Sequence, residues 1–245
     1  MTQRPTSALR AVSLTPDFTD APLASVLICC GDTRVLCTTS VEEKVPPFRL
    51  ASGGGWMTAE YAMLPGATPR RSPRASKRGR PDGRSTEIQR LIGRSLRSAF
   101  DLDQLGPHTL TVDCDVLQAD GGTRTAAITA GYVSARLAVE RLVASGLAQP
   151  SAIGHGVAAV SVGIVGGVPT LDLDYILDSS ADVDMNVVMD ARGQLVELQG
   201  TAEKATFTRT ELGTMLDLAE SGIEQLRILQ AEAVKAGLAK HPRAR

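Results

Sequence analysis

The sequence is poor in the residues on which many hydrolytic and redox enzymes depend. It contains three histidines and four cysteines in 245 residues. No cysteine pair has CxxC spacing, and the cysteines lie in apolar, strand-like runs, so we expect buried, reduced thiols rather than a metal or redox centre. His108 precedes a strand, His155 lies between two glycines and His241 is in the C-terminal tail. Catalysis by a histidine-dependent triad is therefore not indicated.

The chain also lacks long apolar runs and the nucleotide-binding loop of P-loop enzymes. No run approaches about 18 apolar residues and the N-terminus has no signal-like apolar segment, so we expect a cytoplasmic protein with no membrane partner. No GxxxxGK sequence followed by Ser or Thr occurs, which disfavours nucleoside-triphosphate hydrolysis of that type. The net charge is −1, so any surface for nucleic acid must come from local segregation of charge.

What the chain does have is a pattern of paired strands followed by a helix, and this pattern occurs twice. A hydrophobic fraction of 43% fits a folded unit with a large core. We predict an α+β fold with residues 1–245 as one unit, in which lobe one covers about 10–145 and lobe two about 155–238. The predicted strands are Val26–Cys30, Val35–Cys37, Trp56–Met63, His108–Gln118, Val157–Val165, Pro169–Leu177, Met185–Met189 and Gln194–Gln199, and helices are predicted to begin near Ser85, after Gly122 and after Thr208.

The most informative segment is Cys114–Thr125, where an alternating apolar strand leads into two glycines and a helix. Gly121 and Gly122 allow the backbone to approach a ligand closely, and the amides of a helix N-terminus attract an anion. Arg124 adds a planar guanidinium that suits phosphate oxygens. The pattern predicts a phosphate site at Gly122, Thr123 and Arg124, with an ordinary tight turn as the alternative.

Two basic features accompany this segment. The residues from Pro65 to Gly83 are rich in Arg, Pro and Ser, which is typical of a basic loop rather than a packed element. Arg84 directly precedes the predicted start of a helix at Ser85. The helix dipole repels an arginine in that place unless an anion lies between them. This position favours a ligand-binding arginine, with an ordinary loop arginine as the alternative.

Six aspartates lie between positions 172 and 190. In Leu171–Asp174 the alternation predicts a strand with Asp172 and Asp174 on one solvated face. Asp178 and Asp184 differ, because the predicted loop between them can fold back and bring the two carboxylates together. Such a pair binds a hard divalent cation or holds a proton for a leaving group. A charged surface loop is the alternative.

The phosphate site, Arg84, the carboxylate pair and the basic loop together indicate phosphoryl or nucleotidyl transfer on a nucleic acid. This chemistry depends on positioning and charge stabilisation and uses no histidine. In addition, five blocks follow one another along the chain: Gly31–Cys37, Gly55–Tyr61, Glu87–Ile92, Cys114–Thr125 and Val183–Val188. In this order they resemble the signatures of the bacterial RNase PH family, and the resemblance extends from Val26 to Ile228.

The resemblance implies a ribosomal protein S5 domain 2-like α+β fold and a hexameric ring built as a trimer of dimers. It also implies a phosphorolytic 3′-to-5′ exoribonuclease, or tRNA nucleotidyltransferase, that trims tRNA precursors and other RNA 3′ ends. Inorganic phosphate is the implied co-substrate, a nucleoside diphosphate is released, and the step is reversible.

The resemblance also assigns roles to residues of this chain. Asp178 and Asp184 fall on metal-binding or proton-donating positions, for which Mg²⁺ or Mn²⁺ is the implied ion. Both roles stay open for Asp184. The implied phosphate-binding residues are Arg84, Gly122, Thr123 and Arg124, and the basic loop with Arg70, Arg71, Arg74 and Lys77 falls on the region that holds tRNA.

Two other functions stay open at this level. The same fold serves in non-catalytic RNA-binding ring subunits, although such subunits commonly lack the acidic or phosphate-binding residues that this chain retains. Small-molecule phosphotransferases share the topology, but the arginine-rich loop and the missing nucleotide loop argue against one. The N-terminal arm departs from the family because it lacks a Gly-Arg pair. Arg4 and Arg10 are its only basic residues, so RNA contact by the arm is not supported.

Overall fold

The structure is a computed structural model and describes residues 4–74 and 83–240. The predicted α+β architecture is confirmed, because the described residues form a five-stranded sheet and a four-stranded sheet with helices packed against them. In this part of the chain no helix is both long enough and apolar enough to span a membrane.

The first lobe consists of five strands and two helices: β1 (Val12–Pro16), β2 (Ala24–Cys30), β3 (Thr33–Glu42), β4 (Trp56–Met63), α1 (Gly83–Arg97), β5 (Thr109–Gln118) and α2 (Thr123–Ala144). The strands lie in the order β1-β2-β3-β5-β4, antiparallel except for the parallel pair β4 and β5. Leu110, Val112, Cys114 and Val116 alternate along β5 and are buried, as the sequence pattern predicts. All four cysteines are free thiols, and Cys37 and Cys114 are buried.

The second lobe consists of four strands and two helices: β6 (Val157–Val165), β7 (Val168–Leu171), α3 (Tyr175–Ser180), β8 (Val183–Asp190), β9 (Leu195–Ala202) and α4 (Arg209–Lys240). Its sheet is antiparallel in the order β7-β6-β8-β9. The predicted start of α4 is confirmed by a reciprocal cap. Thr208 N donates to Glu211 Oε2 over 2.7 Å, and Glu211 N donates to Thr208 Oγ1 over 3.2 Å.

Helix α2 lies between the two sheets and is buried around most of its circumference. It packs on β2 and β3 of one sheet, on β6 of the other and on α4. Small residues such as Ala127, Ala130, Gly131 and Ala135 allow this close packing on both sides. Because α2 is central, its N-terminus with Arg124 opens at the junction of the two lobes.

The predicted strand Pro169–Leu177 is wrong in its second half. Strand β7 ends at Leu171, and Asp172 adopts a left-handed backbone with φ of 55°. The Asp174 side chain then caps α3 by accepting a hydrogen bond of 2.9 Å from Leu177 N. Asp172 is 5% exposed, so it shares no solvated strand face with Asp174. The strand pattern of Leu171–Asp174 is therefore interrupted at Asp172, whose side chain is buried against Arg4 and Arg10 from the distant N-terminal arm.

Candidate functional site

An open cleft of about 790 Å³ lies where the first turns of α1 and α2 face α3, β8 and β9. Three of the charged residues in its wall come from the first lobe and four from the second. They are Arg84, Glu87 and Arg124 on one side and Asp178, Asp184, Glu203 and Lys204 on the other. The cleft therefore combines a mainly cationic side with a mainly anionic side.

The two arginines of the cleft lie at the starts of two helices. Arg84 is the second residue of α1, and Arg124 is the second residue of α2. Free backbone amides at a helix start carry partial positive charge. Two arginines added to two such ends produce a local excess of positive charge that suits an oxyanion.

Arg124 is held by two side chains from other elements. Its Nη1 lies 3.4 Å from Glu87 Oε2 and donates to Gln199 Oε1 over 3.3 Å. Gln199 Nε2 in turn donates to Glu87 Oε1 over 3.1 Å. The three side chains form a closed triangle between α1, α2 and β9, which fixes the guanidinium at the edge of the cleft.

The two glycines before Arg124 serve the packing of the lobes. Gly121 has φ of 70°, and a Cβ at this position would lie 2.6 Å from the Leu173 oxygen. A Cβ at Gly122 would lie 3.0 Å from Arg10 Nη2. Close approach of backbone therefore explains the glycine at position 121, and the left-handed backbone with φ of 64° favours glycine at position 122. Their predicted part in binding phosphate stays a prediction.

Thr123 begins α2 next to Arg124 and is buried. Its hydroxyl shares a hydrogen bond of 2.8 Å with the Tyr61 hydroxyl. Burial raises the pKa of Tyr61, so the phenol keeps its proton and remains a hydrogen-bonding partner. Of Gly122, Thr123 and Arg124, it is Arg124 that lines the cleft, and the other two adjoin it in the chain.

The two predicted carboxylates both line the cleft. Asp184 is the second residue of β8, and Asp178 lies in α3. The predicted loop at Asp178 is thus wrong, because this residue is helical. Burial, together with repulsion from Asp178 and Glu203, raises the pKa of Asp184 to about 6 in spite of the attraction of Arg124 and Arg84. Burial also raises the pKa of Asp178.

These pKa shifts show that the sequence-predicted charges act on one another across the cleft. Both arginines lower the pKa of both aspartates, and burial outweighs them. A carboxyl group whose pKa is about 6 carries a proton in about one molecule in ten at pH 7. Such a group can accept and return a proton near neutral pH.

A pair of carboxylates also suits a hard divalent cation. Mg²⁺ is commonly bound by one or two carboxylates while it keeps several waters and contacts substrate phosphates. Among residues 4–74 and 83–240, no cluster of three or more His, Cys, Asp or Glu side chains forms a more complete metal cage. Asp178 and Asp184 therefore fit a metal that is shared with substrate rather than a structural metal.

Sequence reasoning missed several residues of the cleft wall. Asn186 could have been found from alternation with Asp184 along β8, and it pairs in register with Gln199. Glu203 follows the end of β9, where Thr201 pairs with Asp184. Its approach to the aspartates depends on strand pairing and gave no local signal. Glu87 lies in the block Glu87–Ile92, but the sequence gives no local signal of its contact with Arg124.

The described arginines of the basic loop lie apart from this wall. Arg70, Arg71 and Arg74 are exposed, and Lys77 lies outside the described residues. The start of the loop is fixed by a hydrogen bond of 2.9 Å from Ser72 N to Pro65 O. Within residues 65–74 the loop thus presents three cations to solvent and adds none to the cleft wall.

The basic residues of the N-terminal arm face inward. Arg10 Nη2 lies 2.7 Å from Asp172 Oδ1, and Arg4 Nη1 lies 3.2 Å from Asp172 Oδ2. Arg10 Nη1 also donates to the Asp120 carbonyl. We call Arg4, Arg10 and Asp172 the N-terminal clamp. It ties the arm to both lobes just behind the glycine turn.

The fold and the sequence both match known proteins. Residues 8–138 match the family described as "3′ exoribonuclease family, domain 1", and residues 155–222 match "3′ exoribonuclease family, domain 2". The crystal structure of rice (Oryza sativa) Rrp46 has a TM-score of 0.76 at 15% identity, covering 94% of this chain and 98% of that chain. The Archaeoglobus fulgidus exosome with RNA bound to the active site has a TM-score of 0.75 at 21% identity, covering 91% and 89%. An archaeal exosome core has a TM-score of 0.72 at 19% identity, covering 93% and 89%.

Proposed function

Since the chain belongs to the 3′ exoribonuclease (RNase PH) family, we propose that it is a phosphate-dependent 3′-to-5′ exoribonuclease of the cytoplasm. In this proposal it trims the 3′ ends of tRNA precursors and other RNAs, releases nucleoside diphosphates and also runs in reverse. The observation that carries the proposal is the cleft in which Arg84 and Arg124 face Asp178 and Asp184.

The cationic side of the cleft binds the attacking group. Arg84 and Arg124, with the adjoining Gly122 and Thr123, hold inorganic phosphate beside the terminal phosphodiester. One phosphate oxygen forms a bond to the terminal phosphorus while the bond from that phosphorus to the 3′ oxygen of the preceding nucleotide breaks. Positioning and charge stabilisation supply most of the rate in such a transfer.

The anionic side of the cleft serves the leaving group. Asp184, whose raised pKa is about 6, donates its proton to the departing 3′ oxygen. The products are a nucleoside diphosphate and an RNA that is one nucleotide shorter. In the reverse direction the Asp184 carboxylate accepts the proton of the 3′ hydroxyl.

Asp178 and Asp184 would also hold a Mg²⁺ or Mn²⁺ ion, because a cation relieves the mutual repulsion of the two groups. When bound, the ion offsets negative charge on the transferred phosphoryl group.

We further propose that the body of the tRNA is held by the basic loop and that the protein assembles as a hexameric ring of three dimers. The exposure of Arg70, Arg71 and Arg74 supports the first part. The second part draws on the likeness of the fold to exosome structures, one of which holds RNA in its active site.

The proposal is tested by incubating a 3′-extended tRNA with the protein and Mg²⁺, with and without inorganic phosphate. We expect nucleoside diphosphates only when phosphate is present. Nucleoside monophosphates formed without phosphate would indicate a hydrolytic enzyme and overturn the proposal. RNA binding with no product in either reaction would favour a non-catalytic ring subunit, and size measurement in the same buffer tests the ring.

A further inference from the structure

A carboxylate lies beside the arginine that is proposed to bind phosphate. Glu87 is one turn beyond Arg84 on α1, and its Oε2 is 3.4 Å from Arg124 Nη1. The Glu87 side chain is 44% exposed and that of Arg124 19%. An oxyanion that binds Arg124 from the cleft therefore meets a negatively charged neighbour as well as two arginines.

Glu87 is held in this place by a polar contact. Gln199 Nε2 donates to Glu87 Oε1 over 3.1 Å, and Gln199 Oε1 accepts from Arg124 over 3.3 Å. One carboxylate oxygen is thereby occupied by Gln199, while the other faces Arg124. A carboxylate oxygen has more than one acceptor position, so Oε2 can accept a further hydrogen bond from a bound ligand.

This arrangement distinguishes oxyanions that carry a proton from those that do not. Near neutral pH inorganic phosphate keeps at least one proton, and its P–OH group can donate to a carboxylate. Sulfate has the same shape and a similar charge, but it has no proton to donate and leaves the carboxylate facing it without a hydrogen bond. Like charges brought together without a proton between them repel, and an unsatisfied acceptor adds to that cost.

We propose that Glu87 is a specificity-determining residue that selects inorganic phosphate over sulfate at Arg84 and Arg124. This assignment rests on the proposed function and adds the basis on which the co-substrate is recognised. Gln199 is the positioning residue, because it orients the Glu87 carboxylate toward the anion. The proton that phosphate carries then explains why an acidic residue, Glu87, lies in a site that binds an anion.

A purely structural role for Glu87 predicts a different result. If Glu87 only orients Arg124, its loss weakens the binding of phosphate and sulfate alike. If it only adds negative charge to the cleft, its loss strengthens both alike. Selection alone changes the ratio of the two affinities, so this ratio is the quantity to measure.

The experiment measures the dissociation constants of inorganic phosphate and of sulfate by calorimetry, with the full chain and no RNA. For Glu87→Gln we expect the preference for phosphate over sulfate to narrow by about tenfold, mostly through tighter sulfate binding. Glu203→Gln is the matched control, because it removes the same charge from the same cleft at a residue that is not part of the Arg124 triangle. There the preference should change by less than about twofold.

An unchanged preference in Glu87→Gln overturns the assignment, and so does an equal narrowing in Glu203→Gln, which would show that the narrowing is not specific to Glu87. Both outcomes leave phosphorolysis standing if the wild type binds phosphate and releases nucleoside diphosphates. A wild type that binds neither anion overturns the assignment as well. In that case the release of nucleoside diphosphates decides the proposed function separately.

Discussion

Asp172 in the N-terminal clamp and Asp184 in the cleft are twelve positions apart in the sequence. Yet the fold favours the charged form of Asp172 and the protonated form of Asp184. Burial alone would raise the pKa of Asp172, but hydrogen bonds and charge from Arg10 bring it below the ordinary value. Burial and the neighbouring Asp178 raise the pKa of Asp184 to about 6. Direct ion pairing thus makes Asp172 a fixed structural charge, whereas Asp184 has no ion pair within residues 4–74 and 83–240 and can exchange a proton.

The largest expected effect separates the two aspartates by activity. Asp184→Asn keeps the size of the side chain but removes its acid and metal-binding functions. We expect phosphate-dependent release of nucleoside diphosphates to fall by about 10²–10⁴-fold, while thermal stability is retained. Asp182→Asn, a neighbouring change of the same charge outside the cleft wall, is the control. Comparable losses in both variants would contradict a special role for Asp184.

The next effect separates the two aspartates by stability. Asp172→Asn keeps a residue that tolerates the left-handed backbone but removes the nearer carboxylate from Arg10, whose side chain is 8% exposed, and leaves it the Asp120 carboxylate at 3.8 Å. We expect the free energy of unfolding, measured by urea denaturation, to fall by about 3 kcal/mol. Asp174→Asn retains the helix cap and should change it by less than about 0.5 kcal/mol. If Asp172→Asn is as stable as the wild type, Asp172 does not have the structural role assigned to it.

Replacing Arg124 tests whether an arginine of the cleft serves binding, whereas Arg10 of the clamp serves stability. Arg124→Ala should raise the KM for phosphate by about tenfold or more, because a charge-assisted contact is lost. Binding of tRNA without phosphate should change little. Steady-state kinetics and a separate tRNA-binding titration provide the two readouts. Equal loss of both would mean that Arg124 is not specific to the phosphate.

The basic loop provides a third group of cations, which faces solvent. Replacing Arg70, Arg71 and Arg74 together with Ala should weaken tRNA binding and lower the slope of log affinity against log salt by about 2. The KM for phosphate with a short RNA substrate should stay the same, since Arg70, Arg71 and Arg74 are not part of the described cleft wall. An unchanged salt slope would argue against tRNA contact by these arginines.

The smallest effect is a dependence of stability on pH. The folded protein keeps the Asp184 proton up to about pH 6, whereas the ordinary pKa of an aspartate is 3.8. The stability contributed by this proton is therefore complete below pH 3.8 and is lost as pH rises through about 6. In Mg²⁺-free buffer, Asp184→Asn should gain about 1 kcal/mol relative to the wild type between about pH 4 and 7, allowing for partial solvent exposure. A constant difference across this range would contradict the raised pKa.

The sequence predicted the elements whose patterns are local. The alternation in β5 and the capping residues Thr208 and Glu211 specify their own neighbourhoods, and the structure confirms them. The arginines at the helix starts were recognised for the same reason, because the helix dipole acts within one turn. These features arise from residues a few positions apart.

The features that the sequence predicted wrongly or did not predict depend on partners that are distant in the chain. The Leu-Asp-Leu-Asp pattern fits a strand, but Asp172 is drawn inward by Arg10, 162 positions away in the chain. Glu203 reaches the aspartates through the pairing of β8 with β9. The contact of Glu87 with Arg124 requires α1 and α2 to meet. Such neighbours follow from the folded chain and leave no periodic signal in the sequence.

The close approach at Gly121 has a consequence for how substrate moves. A backbone with no Cβ packed against the backbone of Leu173 to Tyr175 has no rotamer through which the contact could relax. The two sides of the cleft are joined here, next to Arg124, so we expect this contact to hold the gap between them at one width. In the proposed reaction each shortened RNA then slides forward into that gap, and advance along the strand is a motion of the RNA.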